Sequence, residues 1–236
     1  MKFLDNLFHH KHDSQASFSS ISGYDDVKNI INRVLSSEEN FNLLLVGAPA
    51  SSKTQFLMEI MKAREGKTVY FDANNTTNRV LQVLEEEKPE IVLLDELDKL
   101  PRNFAEKLLG FLESGRVKVD QKNCQMDFEL KGCKVFATAN EINRLSKPLQ
   151  SRFRKLFLPR YTEEQFLDVS EKVLSKTNRS IARYIGADVW KNGGDIRDVI
   201  SIGKLVRKSD GPEQIELIIK TMARDKYGMD GKEKEE

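Results

Sequence analysis

Residues 42–54 read NLLLVGAPASSKT, and this stretch limits what the chain can fold into more than any other. An apolar run, residues 43–46, stops abruptly at Gly47. Small and turn-forming residues follow, Ala48, Pro49, Ala50, Ser51 and Ser52, and then Lys53 and Thr54. A helical pattern begins at Gln55. Strand, tight loop and helix start in that order form the arrangement that wraps a phosphate chain, with loop N–H groups and the helix N-terminus aimed at the anion. Lys53 supplies a point charge, and the Thr54 hydroxyl can ligate Mg²⁺. The pattern G-x-x-x-x-G-K-[ST] has Ser52 at its second glycine. Glycine there allows close backbone approach, and serine adds only a small side chain, so the loop is expected to survive the change.

The rest of the chain alternates in the way such a loop requires. A helix is expected over 25–36 on Val27, Ile30, Ile31 and Val34, and another over 54–64 on Phe56, Leu57, Ile60 and Met61. Residues 74–77 offer N-cap groups for a third helix running to about 87, closed off by Pro89. Short strands are expected over 68–71, 91–94, 134–138 and 155–158. From 162 to about 227 the pattern is all helical, punctuated at Asn178, Gly186, Gly193 with Gly194, and Gly211 with Pro212. Strands alternating with helices and then helices alone predict an α/β P-loop NTPase domain, a parallel sheet flanked by helices, followed by a small all-helical lid. The expected divisions are 1–20 as a flexible N-terminal segment with a Ser-rich linker, 21–160 as the α/β domain, 161–228 as the lid and 229–236 as a charged tail.

Composition removes several alternatives. With 38 basic and 37 acidic residues the net charge is +1, so any nucleic-acid contact has to be a local patch. Cys124 and Cys133 make neither a disulfide framework nor a zinc site, and read as reduced cytosolic thiols. His9, His10 and His12 are all the histidines in the chain and read as part of a solvated tail. No apolar run reaches the ~18 residues of a membrane span, and a cytoplasmic protein with no membrane partner is expected.

The second chemical signal is IVLLDE at 91–96, a buried strand that delivers two adjacent carboxylates at its C-terminal end, where α/β sheets bind ligands. Asp95 is the expected Mg²⁺-site acid, with Thr54 the second metal residue, and Glu96 the group that polarises an attacking water. KVFATAN at 134–140 ends in Asn140. Such an amide can orient that water, although taken alone it could simply begin a turn. SRF at 151–153 carries Arg152, with Arg154 two residues on, and GGDIR at 193–197 carries Arg197 in a first helical turn.

In this order the motifs resemble an AAA+ ATPase from Phe18 to about Tyr227. SISGYDDVK at 20–28 resembles the segment that lies over the adenine, GAPASSKT the Walker A loop and LLDE the Walker B strand. ATAN resembles sensor 1, SRF the arginine-finger segment and GGDIR sensor 2. The resemblance implies a five-stranded parallel sheet, a ring usually of six subunits, and ATP with Mg²⁺ as the ligands. It implies nucleotide contacts from Gly23 and Tyr24 and from Gly47, Ala48, Pro49, Ala50, Ser51, Ser52, Lys53, Thr54 and Gln55. It implies catalytic roles for Glu96, Asn140, Arg152 reaching a neighbour's γ-phosphate, and Arg197 acting on its own subunit's nucleotide, with Arg154 the fallback finger.

Residues 116–130, from Arg116 to Leu130, alternate as a β-hairpin between the Walker B helix and sensor 1. That insertion resembles those of Holliday-junction branch-migration motors, minichromosome-maintenance helicases and Lon-type proteases. The short spacing from Lys53 to Asp95 and the phrase SKPLQSRF are most similar to the branch-migration motors. After the lid, neither their winged-helix DNA-binding domain nor a protease domain is expected in this sequence. Two substrate classes follow. Arg116, Lys118, Lys122, Lys131 and Lys134 on or beside the hairpin suit a DNA backbone, unless the hairpin only packs on a neighbouring subunit. A protein-remodelling ATPase or a nucleotide-gated switch is the alternative. The region after the second strand, FDANNTTNRV, lacks the aromatic-hydrophobic-glycine loop of many unfoldases.

Overall fold

A computed structural model describes residues 15–49, 51–72, 75–100, 102–121, 124–207 and 210–227. The chain divides into two compact units, Met1–Arg160 and Tyr161–Glu236. The expected histidine-bearing tail and charged tail lie outside the described residues, as do Ala50 of the phosphate loop and the hairpin tip at 122–123.

The first unit opens with helix α1 (Asp25–Leu35), strand β1 (Phe41–Gly47) and helix α2 (Lys53–Ala63). Strand β2 (Thr68–Phe71), helix α3 (Thr77–Glu87) and strand β3 (Ile91–Leu94) follow. Then come α4 (Arg102–Ser114), the hairpin strands β4 (Arg116–Gln121) and β5 (Cys124–Glu129), β6 (Lys134–Ala139), α5 (Lys147–Ser151) and β7 (Arg154–Leu158). Five strands form one parallel sheet in the order β2-β3-β6-β1-β7, while β4 and β5 pair antiparallel by themselves. This is the P-loop NTPase arrangement of a parallel sheet covered on both faces, which is why β3 and β6 are buried along their whole length.

Alternation along the strands divides the core. Leu44, Val46, Val92, Leu94, Val135 and Ala137 face α3 and α4, in a cluster with Val80, Leu81, Leu84, Leu108 and Phe111. Leu43, Leu45, Ile91, Leu93 and Phe136 face the other way, with α1 and α2, through Val27, Ile31, Phe56, Leu57 and Ile60. Each Val, Leu, Ile or Phe side chain among them contributes about 1.5–3 kcal/mol when fully buried. The stripe expected on α1 is corrected in one place: Ile30 is 38% exposed and Leu35 is buried in its stead. The linker expected through residue 20 is likewise built into the fold from residue 15. Ala16 and Phe18 are buried, and the Asn32 side chain accepts from the Ala16 N–H at 3.0 Å and donates to its carbonyl at 3.3 Å. Cys133 is buried just before β6, and burial pushes its thiol up to about 12, so it stays protonated at neutral pH.

The hairpin corrects another expectation. Lys134 belongs to β6, is buried, and donates from Nζ to the Gly132 carbonyl at 3.0 Å, so it is not part of a basic hairpin face. Arg116 makes a two-pronged pair with Asp127 across the strands, at 2.8 and 2.7 Å. Over residues 116–130, Arg116, Lys118 and Lys122 are matched by Asp120, Asp127 and Glu129, so the formal charge sums to zero.

The second unit holds four helices among the described residues: α6 (Glu163–Val173), α7 (Arg179–Lys191), α8 (Ile196–Leu205) and α9 (Pro212–Tyr227). Asn178 caps α7, as its position suggests, but Gly186 lies inside that helix and does not interrupt it. The reason is packing, because a Cβ on Gly186 would stand 2.6 Å from Ser170 Oγ and 2.8 Å from Ser170 Cβ of α6. No helix of the described residues is long and apolar enough to cross a membrane. Gly186→Ala is expected to cost about 1–3 kcal/mol through overpacking, read as a lower midpoint in urea denaturation. An unchanged midpoint would show that α6 and α7 move apart freely.

Candidate functional site

Register brings the chemistry together. β1 pairs with β6 so that Leu45 lies beside Thr138 and Val46 beside Ala139. β3 pairs with β6 so that Leu94 lies beside Ala137. One residue further along each strand stand Gly47, Asn140, Asp95 and Thr138, at the carboxyl end of the sheet. Parallel α/β sheets carry ligand sites at that end.

The loop after β1 is held tightly. A Cβ on Gly47 would meet Ser51 Oγ at 2.6 Å and the Leu158 carbonyl of β7 at 2.8 Å, so only glycine fits. Ser52 takes φ 61° and ψ 13°, the left-handed conformation that glycine adopts at no steric cost, and it stands at the N-cap position of α2 without a side-chain cap bond. Lys53 is 7% exposed, and its ammonium donates to the carbonyls of Gly47 at 2.8 Å and Ala48 at 2.7 Å. The loop thus keeps a buried cation at the start of a helix, where the dipole also favours an anion. Gln55 follows in the first turn of α2, with a buried side-chain oxygen that makes no hydrogen bond to the described residues.

Asp95, 6% exposed, forms the opposite wall. Its Oδ2 accepts from the hydroxyls of Thr54 and Tyr70, each at 2.9 Å. Its Oδ1 accepts from the Thr138 hydroxyl and, at 3.2 Å, from the Glu96 N–H. Burying a carboxylate is costly unless it is hydrogen-bonded, and here four donors are supplied. Burial, helped by the bond to Asp95, pushes the Tyr70 phenol well above its ordinary range, so it remains a donor at any physiological pH. Glu96 sits at φ 53° and ψ 47°, a sparsely populated conformation for a non-glycine residue. Its N–H also donates to Thr138 at 2.8 Å, and its carboxylate holds Lys99 at 2.6 Å.

A hydroxyl and a carboxylate oxygen within hydrogen-bond distance are hard donors of the kind Mg²⁺ takes, with water completing its shell, so Thr54 and Asp95 fit that ion. Among the described residues no group of three or more His, Cys, Asp or Glu could hold a metal by itself.

Other sequence-singled residues lie elsewhere. Gly23 and Tyr24 both have positive φ and lead into α1. The Tyr24 ring packs edge-on against Phe56 at 6.1 Å, and its hydroxyl donates to the Pro159 carbonyl at 2.6 Å. Arg152 is not brought to the loop. Asn42, at the other end of β1, donates to the Arg152 carbonyl at 3.0 Å and to the Leu112 carbonyl at 2.7 Å. Asn42 and Gly47 are about 16 Å apart at the rise of a parallel strand. The Arg152 guanidinium is paired with Glu113 of α4 at 2.9 Å, while Arg154 starts β7 with its side chain exposed. Arg197 belongs to the second unit, where it donates to Asp195, the cap of α8, at 2.9 Å. Sequence reasoning passed over Tyr70 and Thr138. Thr138 could have been found from its place in ATAN, whereas no local pattern distinguishes Tyr70 in β2.

Residues 42–157 match the AAA domain family, in its dynein-related subfamily. Over that span the chain is similar to AAA domains. The matched span runs from β1 to β7 and includes the loop, Asp95, Glu96 and Asn140. Among curated proteins, the Holliday junction branch migration complex subunit RuvB of Mycoplasmopsis pulmonis is 24% identical over 177 residues, 70% of this chain and 55% of that protein. The Lon protease of Fusobacterium nucleatum is 34% identical over 91 residues, 36% of this chain and 12% of that protein. The chain therefore matches about half the length of the RuvB relative and a small part of the Lon relative. In fold, the chain is similar to a Thermotoga maritima RuvB mutant with a TM-score of 0.68 at 16% identity, covering 87% of this chain and 72% of that one. The Thermotoga maritima RuvB Holliday junction branch migration motor gives a TM-score of 0.64, also at 16% identity, covering 89% of this chain and 72% of that one.

Backbone conformation at Ser52 generates a test of the loop by itself. Ser52→Gly is expected to hold stability within about 1 kcal/mol, because glycine relieves the left-handed strain while loosening the unfolded chain. Ser52→Val is expected to lose about 1–2 kcal/mol. Thermal melts of the two variants check both values, and a valine variant as stable as wild type would contradict the observed loop.

Proposed function

We propose that this chain is an ATP-hydrolysing AAA+ motor that works in a ring, of six copies as the resemblance implies, and acts on DNA as a translocase or helicase-like protein. The observation that carries the ATPase reading is the juncture of Thr54 with Asp95, one residue from Glu96, beside a buried lysine on a helix-start loop. Lys53 would exchange its loop carbonyls for the β- and γ-phosphate oxygens. Thr54 and Asp95 would hold Mg²⁺, which would neutralise charge on those oxygens. Glu96 would accept a proton from the attacking water, and Asn140, at the end of β6, would orient that water.

The position of Arg152 supports a shared site. It stands at the opposite end of the sheet from its own loop, so a finger role requires a neighbour's nucleotide. Arg197, on the second unit, is assigned by the resemblance to the nucleotide of its own chain. DNA as the substrate class rests on the likeness to RuvB, a Holliday junction branch migration subunit. The balanced charge of the hairpin argues that it does not supply net attraction to phosphates. That balance, with the 34% identity to a Lon protease segment, favours a protein-remodelling ATPase as the second reading.

Lys53→Ala is expected to abolish binding of a fluorescent ATP analogue. Glu96→Gln is expected to keep binding while slowing hydrolysis about 10²–10³-fold. Undiminished turnover by the glutamine variant would overturn the assignment of the base. For Arg152→Ala, binding persists and the rise of specific ATPase rate with protein concentration disappears, a loss on the order of 10³-fold. Normal turnover there would move the finger to Arg154 or remove the ring. Substrate class is decided by ATPase rate and salt-dependent binding with branched, duplex and single-stranded DNA. Absence of both stimulation and binding at low salt would remove DNA, and recovery of one protein client by the Glu96→Gln form would support the second reading.

A further inference from the structure

Asp95 has about four lone-pair directions, and each is occupied. The two donors on Oδ1, Thr138 and the Glu96 N–H, come from β6 and from the residue after Asp95 itself. The two on Oδ2 come from Thr54 on α2 and Tyr70 on β2. These pairs differ in what becomes of them when the site is loaded. On the ATPase reading Thr54 leaves Asp95 to ligate the cation. Oδ2 then keeps one protein donor, the Tyr70 phenol. We propose that Tyr70 is a positioning residue that fixes the direction of the Asp95 oxygen facing the metal site, and so sets how strongly Mg²⁺ tightens nucleotide binding. The inference rests on the ATP–Mg²⁺ reading of the preceding subsection and adds to it a residue that belongs to none of its motifs.

Geometry explains why a tyrosine is required. Tyr70 pairs with Leu93 across the parallel ladder. Asp95 lies two residues further along β3, about 6–7 Å at the rise of a strand. A phenol hydroxyl spans that distance from the β2 backbone, and the hydroxyls of serine and threonine do not. Phenylalanine keeps the ring in place and removes only the donor. The Asp95 N–H, bonded to the Phe71 carbonyl at 2.8 Å, ties the acid to the same strand, so backbone and side chain of β2 hold Asp95 together. Groups that orient a metal-site carboxylate typically affect metal affinity about 10–100-fold.

The test compares the full chain with its Tyr70→Phe form, using a fluorescent non-hydrolysable ATP analogue as the probe. Binding is measured first in EDTA and then across a Mg²⁺ series. The expected result is unchanged affinity in EDTA and a Mg²⁺ half-point raised about 10-fold or more. A wild-type Mg²⁺ half-point in the variant overturns the proposal. Equal weakening with and without Mg²⁺ also overturns it, since that is the mark of a residue that only supports the loop. If the wild-type chain itself binds the analogue with no gain from Mg²⁺, the nucleotide reading fails first and the role of Tyr70 falls with it. The wild-type and variant curves therefore separate the two failures.

Discussion

Parallel pairing of β1, β3 and β6 is the constraint on which the rest depends. It aligns the carboxyl ends of three strands, so that residues far apart in the chain meet within hydrogen-bond distance. A shift of one residue would turn every side chain of a strand to the opposite face. The apolar division of the core into two clusters holds the register against such a shift. Core packing and site geometry are thus one problem here. The same alternation that buries Leu94 and Ala137 delivers Asp95 and Thr138 side by side.

Asp95 shows how strict this is. Its carboxylate is taken out of water and receives its donors from α2, β2, β6 and the turn after β3. Removing any one of those elements from register would leave a buried charge short of a partner, at a cost of about 1–3 kcal/mol or more. A site assembled in this way is formed by the same register that forms the sheet beneath it. Register also separates groups. It keeps Arg152 at the far end of β1, tied to Glu113, and the proposal of a site shared between copies rests on that placement.

Much of this was legible beforehand, for definite reasons. The apolar runs at 43–46 and 91–94 are short, continuous and bounded by turn residues, so buried parallel strands were the only economical reading. The helices over α2 and α3 were equally plain, since Phe56, Leu57, Ile60 and Val80, Leu81, Leu84 repeat at helical spacing, and all are buried. Failures fall where a residue's role depends on what lies across from it. Gly186 reads as a breaker in one dimension, yet it is a contact point between α6 and α7. Lys134 reads as a strand start that also offers a charge beside the hairpin, yet it is buried and its ammonium turns to the Gly132 carbonyl. The linker ended earlier than its serines suggested, because Phe18 found a place against Phe56, ring centroids 5.3 Å apart.

The amino-acid sequence by itself determined the α/β class, the loop at 47–54 and the paired acids at 95–96. All three are written in local periodicity and in turn chemistry, which act between near neighbours in the chain. Tertiary structure alone decided that Tyr70 and Thr138 attend Asp95, that the hairpin pairs Arg116 with Asp127, and that Arg152 lies by the far end of β1, paired with Glu113. Those facts follow from strand order and register. Strand order and register come from burying two apolar faces at once, a global condition that no short stretch of residues expresses.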